Sequence, residues 1–170
     1  EDSCAEISSQ SCALMVEKLD PKLTQSDKRQ ETIFSYQQSW IGDSGASHHM
    51  SNQNVGFTNI KTSSGQSVTI GNGKSLKVEF VGDIVGDVVN ADVSRFRGTI
   101  RSVMFIPELT CNLYSISQAM EKQGFTLEGR RDFLALKSLD TNLIFNKIQV
   151  TSNGVIYAFN FEPLISNNIA

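Results

Sequence analysis

The sequence predicts an all-β barrel or sandwich with one helix. Three observations favour this fold class: many short apolar segments, turn signals between them, and a single stretch in which apolar residues recur at helical spacing. With 170 residues, of which 39% are hydrophobic, the chain can bury one core, and two full domains would be unusual. We therefore expect one compact domain accompanied by some polar chain.

The expected strands are short, and turn signals such as Ser64-Gly65 and Asn72-Gly73 separate them. The Asn-Gly pair at residues 153–154 is typical of a type I′ turn, so residues 150–155 are expected to form a hairpin. The apolar segments expected to be strands are Trp40–Ile41, Val68–Ile70, Leu76–Val81, Ile84–Val89, Ile100–Ile106, Phe125–Leu127, Phe133–Leu136, Leu143–Val150 and Val155–Phe159.

One helix is expected over about residues 112–123. Gly124 follows it directly and is a natural C-terminal stop. The apolar or small residues that recur at helical intervals in this stretch are Leu113, Ile116, Ala119 and Met120.

Residues 1–38 are expected to form a flexible polar linker. They are rich in Ser, Gln, Lys, Asp and Glu, with one apolar cluster at residues 13–16. A short helix over residues 11–19 is an alternative, although Pro21 and the polar run after it favour a tether. The sequence does not begin with Met, so we expect a piece of a longer protein.

Charge and cysteine content argue against several classes of function. The formal net charge is -3, whereas a nucleic-acid-binding face usually needs a basic excess. Cys4, Cys12 and Cys111 are odd in number and widely spread, which favours neither a disulfide framework nor a zinc site. No apolar stretch approaches the roughly 20 residues that cross a bilayer. We expect a reducing compartment, no membrane and no direct contact with nucleic acid.

The segment Trp40–Ser47, which contains Asp43-Ser44-Gly45, is the main candidate for chemistry. In such a tight loop, backbone N–H groups can hold the carboxylate, and glycine allows another backbone to approach closely. One carboxylate cannot act as both acid and base on a peptide bond, but two that share a proton can. The chain holds one Asp-Ser/Thr-Gly triplet, so the second carboxylate would come from an identical chain across a two-fold axis. Alone the triplet is weak evidence, because it is also a common turn sequence.

Two later segments strengthen this hypothesis. Residues 68–78 alternate around the tip Gly71-Asn72-Gly73, which predicts a hairpin that could close over an extended peptide. Residues 107–116 pass from a strand into the predicted helix, with Ser115 after the apolar pair Leu113-Tyr114. Taken alone, the first would be an ordinary surface hairpin and the second an ordinary strand, turn and helix.

Together the three segments resemble the protease of copia-type LTR retrotransposons. Trp40–Met50 resembles the signature W-x-x-D-S-G-A-S-x-H-M, and Val68–Leu76 resembles the flap V-x-I-G-N/D-G-x-x-L. Val103–Ser117 resembles V-L-Y-V-P-E-L-x-x-N-L-L-S-V-S. The resemblance covers about residues 39–160. It implies a retropepsin-like closed barrel with one short helix in the C-terminal half and a flap hairpin, active as a homodimer.

The resemblance also implies a role for each residue of the site. Asp43 would be catalytic, one from each subunit, Ser44 would interlock the two active-site loops, and Gly45 would complete the loop. Leu113-Tyr114-Ser115 would occupy the turn that braces this loop. The residues implied to bind substrate are Ala46, Ser47, His48, Ile70, Gly71, Asn72 and Gly73.

The implied activity is that of an aspartic endopeptidase that cleaves its own Gag-Pol polyprotein by carboxylate-activated attack of water, without cofactor or metal. It would act in the cytoplasm, within virus-like particles. The implied organisation is a linker at 1–38, a protease domain at 39–137 and a C-terminal β-hairpin extension toward the integrase region at 138–170. The alternatives are a domesticated or inactive copy that dimerises or binds peptides, and a linker within a larger polyprotein.

Two departures from the family pattern are expected to matter. Gly42 stands where a bulky apolar residue normally precedes the aspartate, so we expect looser packing beneath the loop. Residues 83–98 look longer than the usual link, so we expect an extra hairpin or a loop near the flap.

His48 and His49 also invite other interpretations. Adjacent residues on a strand point in opposite directions, and the chain has no third His, which disfavours a metal site. We expect His49 to be structural and His48 to line the cleft. Ser44 or Ser47 as a nucleophile would lack the nucleophile-elbow pattern. Cys111 is expected to be buried, and solvated faces are expected at Arg95, Arg97, Arg101, Arg130 and Arg131.

Overall fold

The computed structural model describes residues 39–90, 92–130, 132–151 and 154–165. These residues form strands and one short helix, which confirms the predicted all-β class. The strands are β1 (Ser39–Asp43), β2 (Met50–Ser51), β3 (Phe57–Thr62), β4 (Ser67–Thr69), β5 (Ser75–Lys77), β6 (Phe80–Val89), β7 (Arg95–Phe105), β8 (Asn112–Ser115), β9 (Thr126–Arg130), β10 (Phe133–Lys137), β11 (Asn142–Ile144), β12 (Lys147–Thr151) and β13 (Gly154–Pro163), and the helix is α1 (Ile116–Gln123).

Six strands close into a ring in the order β13-β1-β8-β2-β7-β6, and β6 returns to pair with β13. The pairs β1–β8 and β2–β7 are parallel, and the others in the ring are antiparallel. Closure leaves none of the six with an open edge, which is how barrels avoid unpaired backbone groups. Strand β12 pairs with β13, and β3 pairs with β6, so both extend the sheet beyond the ring.

Two buried clusters lie on opposite sides of β1, because successive side chains of a strand point to opposite faces. Trp40 belongs to the first, and Ile41 belongs to the second. We call the first the aromatic cluster, since it contains Tyr114, Phe145, Phe159 and Phe161. We call the second the aliphatic cluster; its members include Ala46, Met50, Leu76, Val78, Met104, Ile106 and Leu113.

The helix is shorter than predicted. It begins at Ile116, because residues 112–115 form strand β8, which pairs in parallel with β1. The side chain of Ser115 caps the helix by accepting a hydrogen bond from the Gln118 backbone N–H, and Gly124, at φ 70°, ends it as predicted. Met120, expected on the buried face, is 43% exposed.

Three predicted hairpins are present among the described residues. Strands β6 and β7 form the extra hairpin expected from residues 83–98. Strands β4 and β5 form the hairpin predicted around the Gly-Asn-Gly tip, where the Ile70 N–H donates to the Lys74 carbonyl oxygen. Strands β12 and β13 form the last one, although Asn153 of its turn lies outside the described residues. Strands β2, β3 and β8 were not predicted.

Strand β13 is part of the barrel wall. It pairs with both β1 and β6, and its Phe159 and Phe161 are each 1% exposed. The barrel core therefore includes residues beyond 137. The end of the protease domain at residue 137 stays a prediction. The linker and the helix considered for residues 1–38 lie outside the described residues.

Candidate functional site

Asp43 is the last residue of β1, and it is 4% exposed. The parallel pairing of β1 with β8 places it opposite Ser115. Its carboxylate Oδ1 accepts a hydrogen bond from the Gly45 backbone N–H at 2.7 Å. The carboxylate is thus held by the loop that follows it, in the way that a tight Asp-Ser-Gly turn allows.

The loop after Asp43 is fastened to the start of α1 by two hydroxyl groups. Ser115 Oγ donates to the Ala46 carbonyl oxygen at 2.5 Å. Ser117 Oγ donates to the Ser44 carbonyl oxygen at 2.6 Å. Ser44 and Gly45 are exposed, whereas Ala46 is buried in the aliphatic cluster. The backbone of the loop is therefore anchored while its tip faces solvent.

His49 lies beneath this loop with 0% exposure. Its Nδ1 accepts a hydrogen bond from the Ser115 backbone N–H at 3.0 Å, so the proton of the neutral ring is on Nε2. The ring packs on Tyr114 with centroids 4.3 Å apart. Burial, followed by the charges of His48 and Lys122, lowers the pKa of His49 to about 3. His49 is a neutral structural acceptor that fixes the position of Ser115.

His48 is half-buried, and its Nδ1 lies 2.9 Å from Ser47 Oγ. Burial and then Lys122 lower the pKa of His48, which favours the neutral ring. This is a serine–histidine contact, but Ser47 lies in an irregular loop rather than on the sharp strand-to-helix turn of a nucleophile elbow. The serine-nucleophile interpretation therefore gains no support from the backbone.

Phe145 fills the space beside Gly42. A Cβ atom on Gly42 would lie 2.6 Å from Phe145 Cε1, too close for any real contact. The ring is 1% exposed and packs edge-on against Tyr114 and Phe159, with centroid separations of 6.3 and 5.5 Å. The expectation of looser packing beneath the loop is therefore wrong. A ring from the connection between β11 and β12 replaces the missing bulky side chain, and the separation of 103 positions hid it from sequence patterns.

The β4–β5 hairpin packs on the same aliphatic cluster as the loop. Its Leu76 is 1% exposed and shares that cluster with Ala46. At the tip, Asn72 Oδ1 accepts a hydrogen bond from the Lys74 N–H at 2.9 Å, and Lys74 Nζ lies 2.8 Å from Glu108 Oε2. The β4–β5 hairpin and the Asp43 loop thus pack on the same buried cluster. Their contact with a substrate stays a prediction.

Cys111 is a free, buried thiol, as predicted. Burial, with a further contribution from the negative charge of Asp43, raises its pKa to about 11, although a hydrogen bond with Thr110 opposes the shift. The thiol therefore stays protonated at neutral pH and is a poor nucleophile.

Among residues 39–165, apart from the few undescribed positions, no three His, Cys, Asp or Glu side chains are grouped so that they could hold a metal ion. No helix in the described part of the chain is both long and apolar enough to cross a membrane. Arg95 and Arg97 are exposed on β7, where they form ion pairs with Glu162 and Asp87.

Comparison with known families assigns the central part of the chain. A family described as the Pol polyprotein, beta-barrel domain matches residues 40–125, just over half of the chain. The matched range contains the Asp43 loop, the β4–β5 hairpin and the β8–α1 junction. No curated protein and no solved structure matches the chain. The match supports a Pol-derived region of retrotransposon or retroviral type, and the chain therefore belongs to the family of Pol polyprotein beta-barrel domains.

Proposed function

We propose that this chain is an aspartic endopeptidase that cleaves the Gag-Pol polyprotein of a copia-type retrotransposon as a homodimer. The observation that carries the proposal is the buried Asp43 carboxylate, held by the Gly45 N–H in a loop with an exposed tip. The Pol polyprotein family supplies the context, because a polyprotein has to be cut into its parts. The enzyme would act in the cytoplasm, within virus-like particles.

In the proposed dimer, two Asp43 carboxylates meet at the two-fold axis. Like charges that close cannot both ionise, so the pair shares one proton. The ionised member takes a proton from a water molecule, whose oxygen attacks the scissile carbonyl carbon. The protonated member gives its proton to the carbonyl oxygen. The C–N bond of the resulting tetrahedral intermediate then breaks, as the carboxyl that took the proton from water passes it to the leaving amine nitrogen. The reaction uses no metal ion and no covalent acyl-enzyme.

The β4–β5 hairpin and the Asp43 loop would hold the substrate between them. An extended peptide can pair with backbone groups of a hairpin as an added strand. Ala46, Ser47 and His48 would line one side, and residues 70–73 would close over the other. The support is geometric: Ser115 fixes the Ala46 backbone, and Leu76 of the hairpin packs into the cluster that contains Ala46.

The test is cleavage of a fragment of the element's polyprotein by the full chain, with and without an aspartic-protease inhibitor. Asp43→Asn keeps the shape of the side chain but removes the acid, so we expect a folded protein whose cleavage rate falls at least about 100-fold. Asp140→Asn, at an exposed position in the loop before β11, is the matched control and should cleave normally. If Asp43→Asn cleaves at the wild-type rate, the proposal is wrong.

A second outcome would identify the alternative function. A wild-type chain that folds and dimerises but leaves every polyprotein fragment intact would be a domesticated or inactive copy. Such a copy would serve as a dimerising or peptide-binding module, and peptide binding without cleavage would then be measurable by calorimetry.

A further inference from the structure

The contact between Gly42 and Phe145 joins the site to a part of the chain outside the family match, which ends at residue 125. A Cβ built on Gly42 would lie 2.6 Å from Cε1 of Phe145 and 3.1 Å from both Cδ1 and Cζ. The edge of the ring therefore lies directly against the backbone of residue 42. Any side chain at residue 42 would collide with the ring unless the ring or strand β1 moved.

Phe145 is itself held firmly. Its backbone N–H donates to the Leu134 carbonyl oxygen at 2.9 Å, and the neighbouring Asn146 Nδ2 donates to the Val89 carbonyl oxygen at 3.1 Å. These bonds fasten the connection between β11 and β12 to β10 and β6. Hydrogen bonds to two neighbouring strands thus hold residues 145 and 146 in place. The ring of Phe145 can therefore fix the position of the Gly42 backbone that lies against its edge.

The ring touches both strands that carry the site. On β1 it lies against Gly42, the residue immediately before Asp43. On β8 it packs edge-on against Tyr114, the residue immediately before Ser115, and Ser115 anchors Ala46. Displacement of the ring would therefore act on both ends of the Asp43 loop at once.

We propose that Phe145 is a positioning residue for the Asp43 loop, with its ring edge taking the volume that Gly42 leaves free. This inference rests on the proposed aspartic endopeptidase for its effect on the reaction. Phe145 contacts no reacting atom in the proposed mechanism. It fixes the position of β1 beneath the carboxylate, so the connection between β11 and β12 becomes part of the support of the site.

The test compares Phe145→Leu, Gly42→Ala, the double variant and Phe161→Leu in the full chain. Phe161 is the matched control, because it is equally buried in the aromatic cluster but lies against Gly86 and Trp40 instead of Gly42. The readouts are the thermal midpoint, kcat and KM for a polyprotein peptide, and the amide chemical shift of Gly45, whose N–H is bonded to Asp43.

Both leucine variants should lower the thermal midpoint by several degrees, on the order of 5–10 °C. Phe145→Leu alone should lower kcat roughly 10- to 100-fold with little change in KM, because misplacement of a reacting group by about 1 Å acts on the rate. It should also shift the Gly45 amide. Gly42→Ala should behave likewise, and the double variant should recover part of the kcat lost in Gly42→Ala, since the shorter leucine makes room for the added methyl group.

Equal kcat values and an unmoved Gly45 amide in the two leucine variants would overturn the inference, as would strictly additive effects in the double variant. If the wild-type chain cleaves nothing, the proposed function fails, but the Gly45 amide and the thermal midpoints still decide whether Phe145 positions the loop. A Gly45 amide resonance that shifts in Phe145→Leu but not in Phe161→Leu would support the positioning role of Phe145.

Discussion

His49 shows how a single residue holds the site from below. It accepts a hydrogen bond from the Ser115 N–H, packs on Tyr114 and is fully buried. A neutral imidazole can accept that bond at Nδ1, but a protonated ring carries N–H groups at both nitrogens and cannot. The loop therefore depends on His49 remaining neutral.

The first prediction is that stability falls in acid through His49. Its pKa is about 3 in the folded chain against 6.5 ordinarily, so the unfolded chain binds the proton more readily. Its contribution is complete above pH 6.5 and is lost as the pH falls from 6.5 toward 3. Over this range the free energy of unfolding falls by at most about 1.4 kcal/mol for each pH unit. Urea unfolding at several pH values between 5 and 7 measures it.

Two variants separate His49 from its neighbour in that measurement. His49→Asn leaves a carbonyl oxygen that can accept the Ser115 N–H, and we expect the pH dependence to flatten. His48→Asn should retain most of it, because His48 is only half-buried. An unchanged slope in His49→Asn would contradict the assignment.

At residue scale, local patterns point to single side chains but not to their distant contacts. The Asp-Ser-Gly turn singles out Asp43, and the burial of Cys111 follows from the small apolar character of a free cysteine. The partner of Gly42 follows from no local pattern, because Phe145 is brought to it by tertiary packing. A glycine in an otherwise apolar strand is the available signal, since such a glycine often marks a close approach by another group.

The junction between β8 and α1 is the element that organises the loop. Ser115 donates to the Ala46 carbonyl oxygen, accepts from the Gln118 N–H and donates its own N–H to His49. Strand, helix and loop therefore meet at one serine. Helical spacing predicted a helix from residue 112, but pairing with β1, about 70 positions away, keeps residues 112–115 extended.

The second prediction concerns this junction. Ser115→Ala removes the helix cap, which is worth about 0.5–2 kcal/mol, and leaves the buried Ala46 carbonyl without its hydroxyl donor, which costs about 1–3 kcal/mol. The free energy of unfolding should fall by roughly 2–4 kcal/mol. Ser117→Ala is the control, because the hydrogen bond from the Ser117 hydroxyl to the Ser44 carbonyl oxygen is exposed to solvent. It should lose less than about 1 kcal/mol. Equal losses in denaturant titrations would contradict the central place of Ser115.

Hairpins were predicted well because their turn signals are local. The Gly-Asn-Gly tip and the Asn-Gly pair each lie within a few residues of the strands they join. Strand β3 was missed because it has few apolar residues and is largely exposed beside β6. Alternation of apolar and polar residues cannot identify a strand whose two faces are both polar.

On the scale of the whole molecule, the barrel is closed by its last strand. Strand β13 pairs with β1 on one side and with β6 on the other, and its aromatic side chains fill the cluster behind the site. The predicted protease domain, residues 39–137, would lack this strand. The barrel then opens between β1 and β6.

The third prediction is that a chain ending at Lys137 does not fold. It lacks Phe145, Phe159 and Phe161, each 1% exposed, and losing one such ring by truncation to alanine typically costs about 3–5 kcal/mol. Three such losses match the whole stability of an ordinary domain, about 5–15 kcal/mol. We expect no cooperative transition in circular dichroism on heating. A sharp transition in this shortened chain would support the predicted boundary instead.

The central claim is that two Asp43 carboxylates, one from each chain, form one active site. Wild-type and Asp43→Asn chains, equilibrated at fixed total concentration, test it most directly, because mixed dimers carry one carboxylate and should be inactive. The cleavage rate should then follow the square of the wild-type fraction, so an equal mixture retains about a quarter of the rate. A rate that falls in direct proportion to the wild-type fraction would show that each chain acts alone and would contradict the claim.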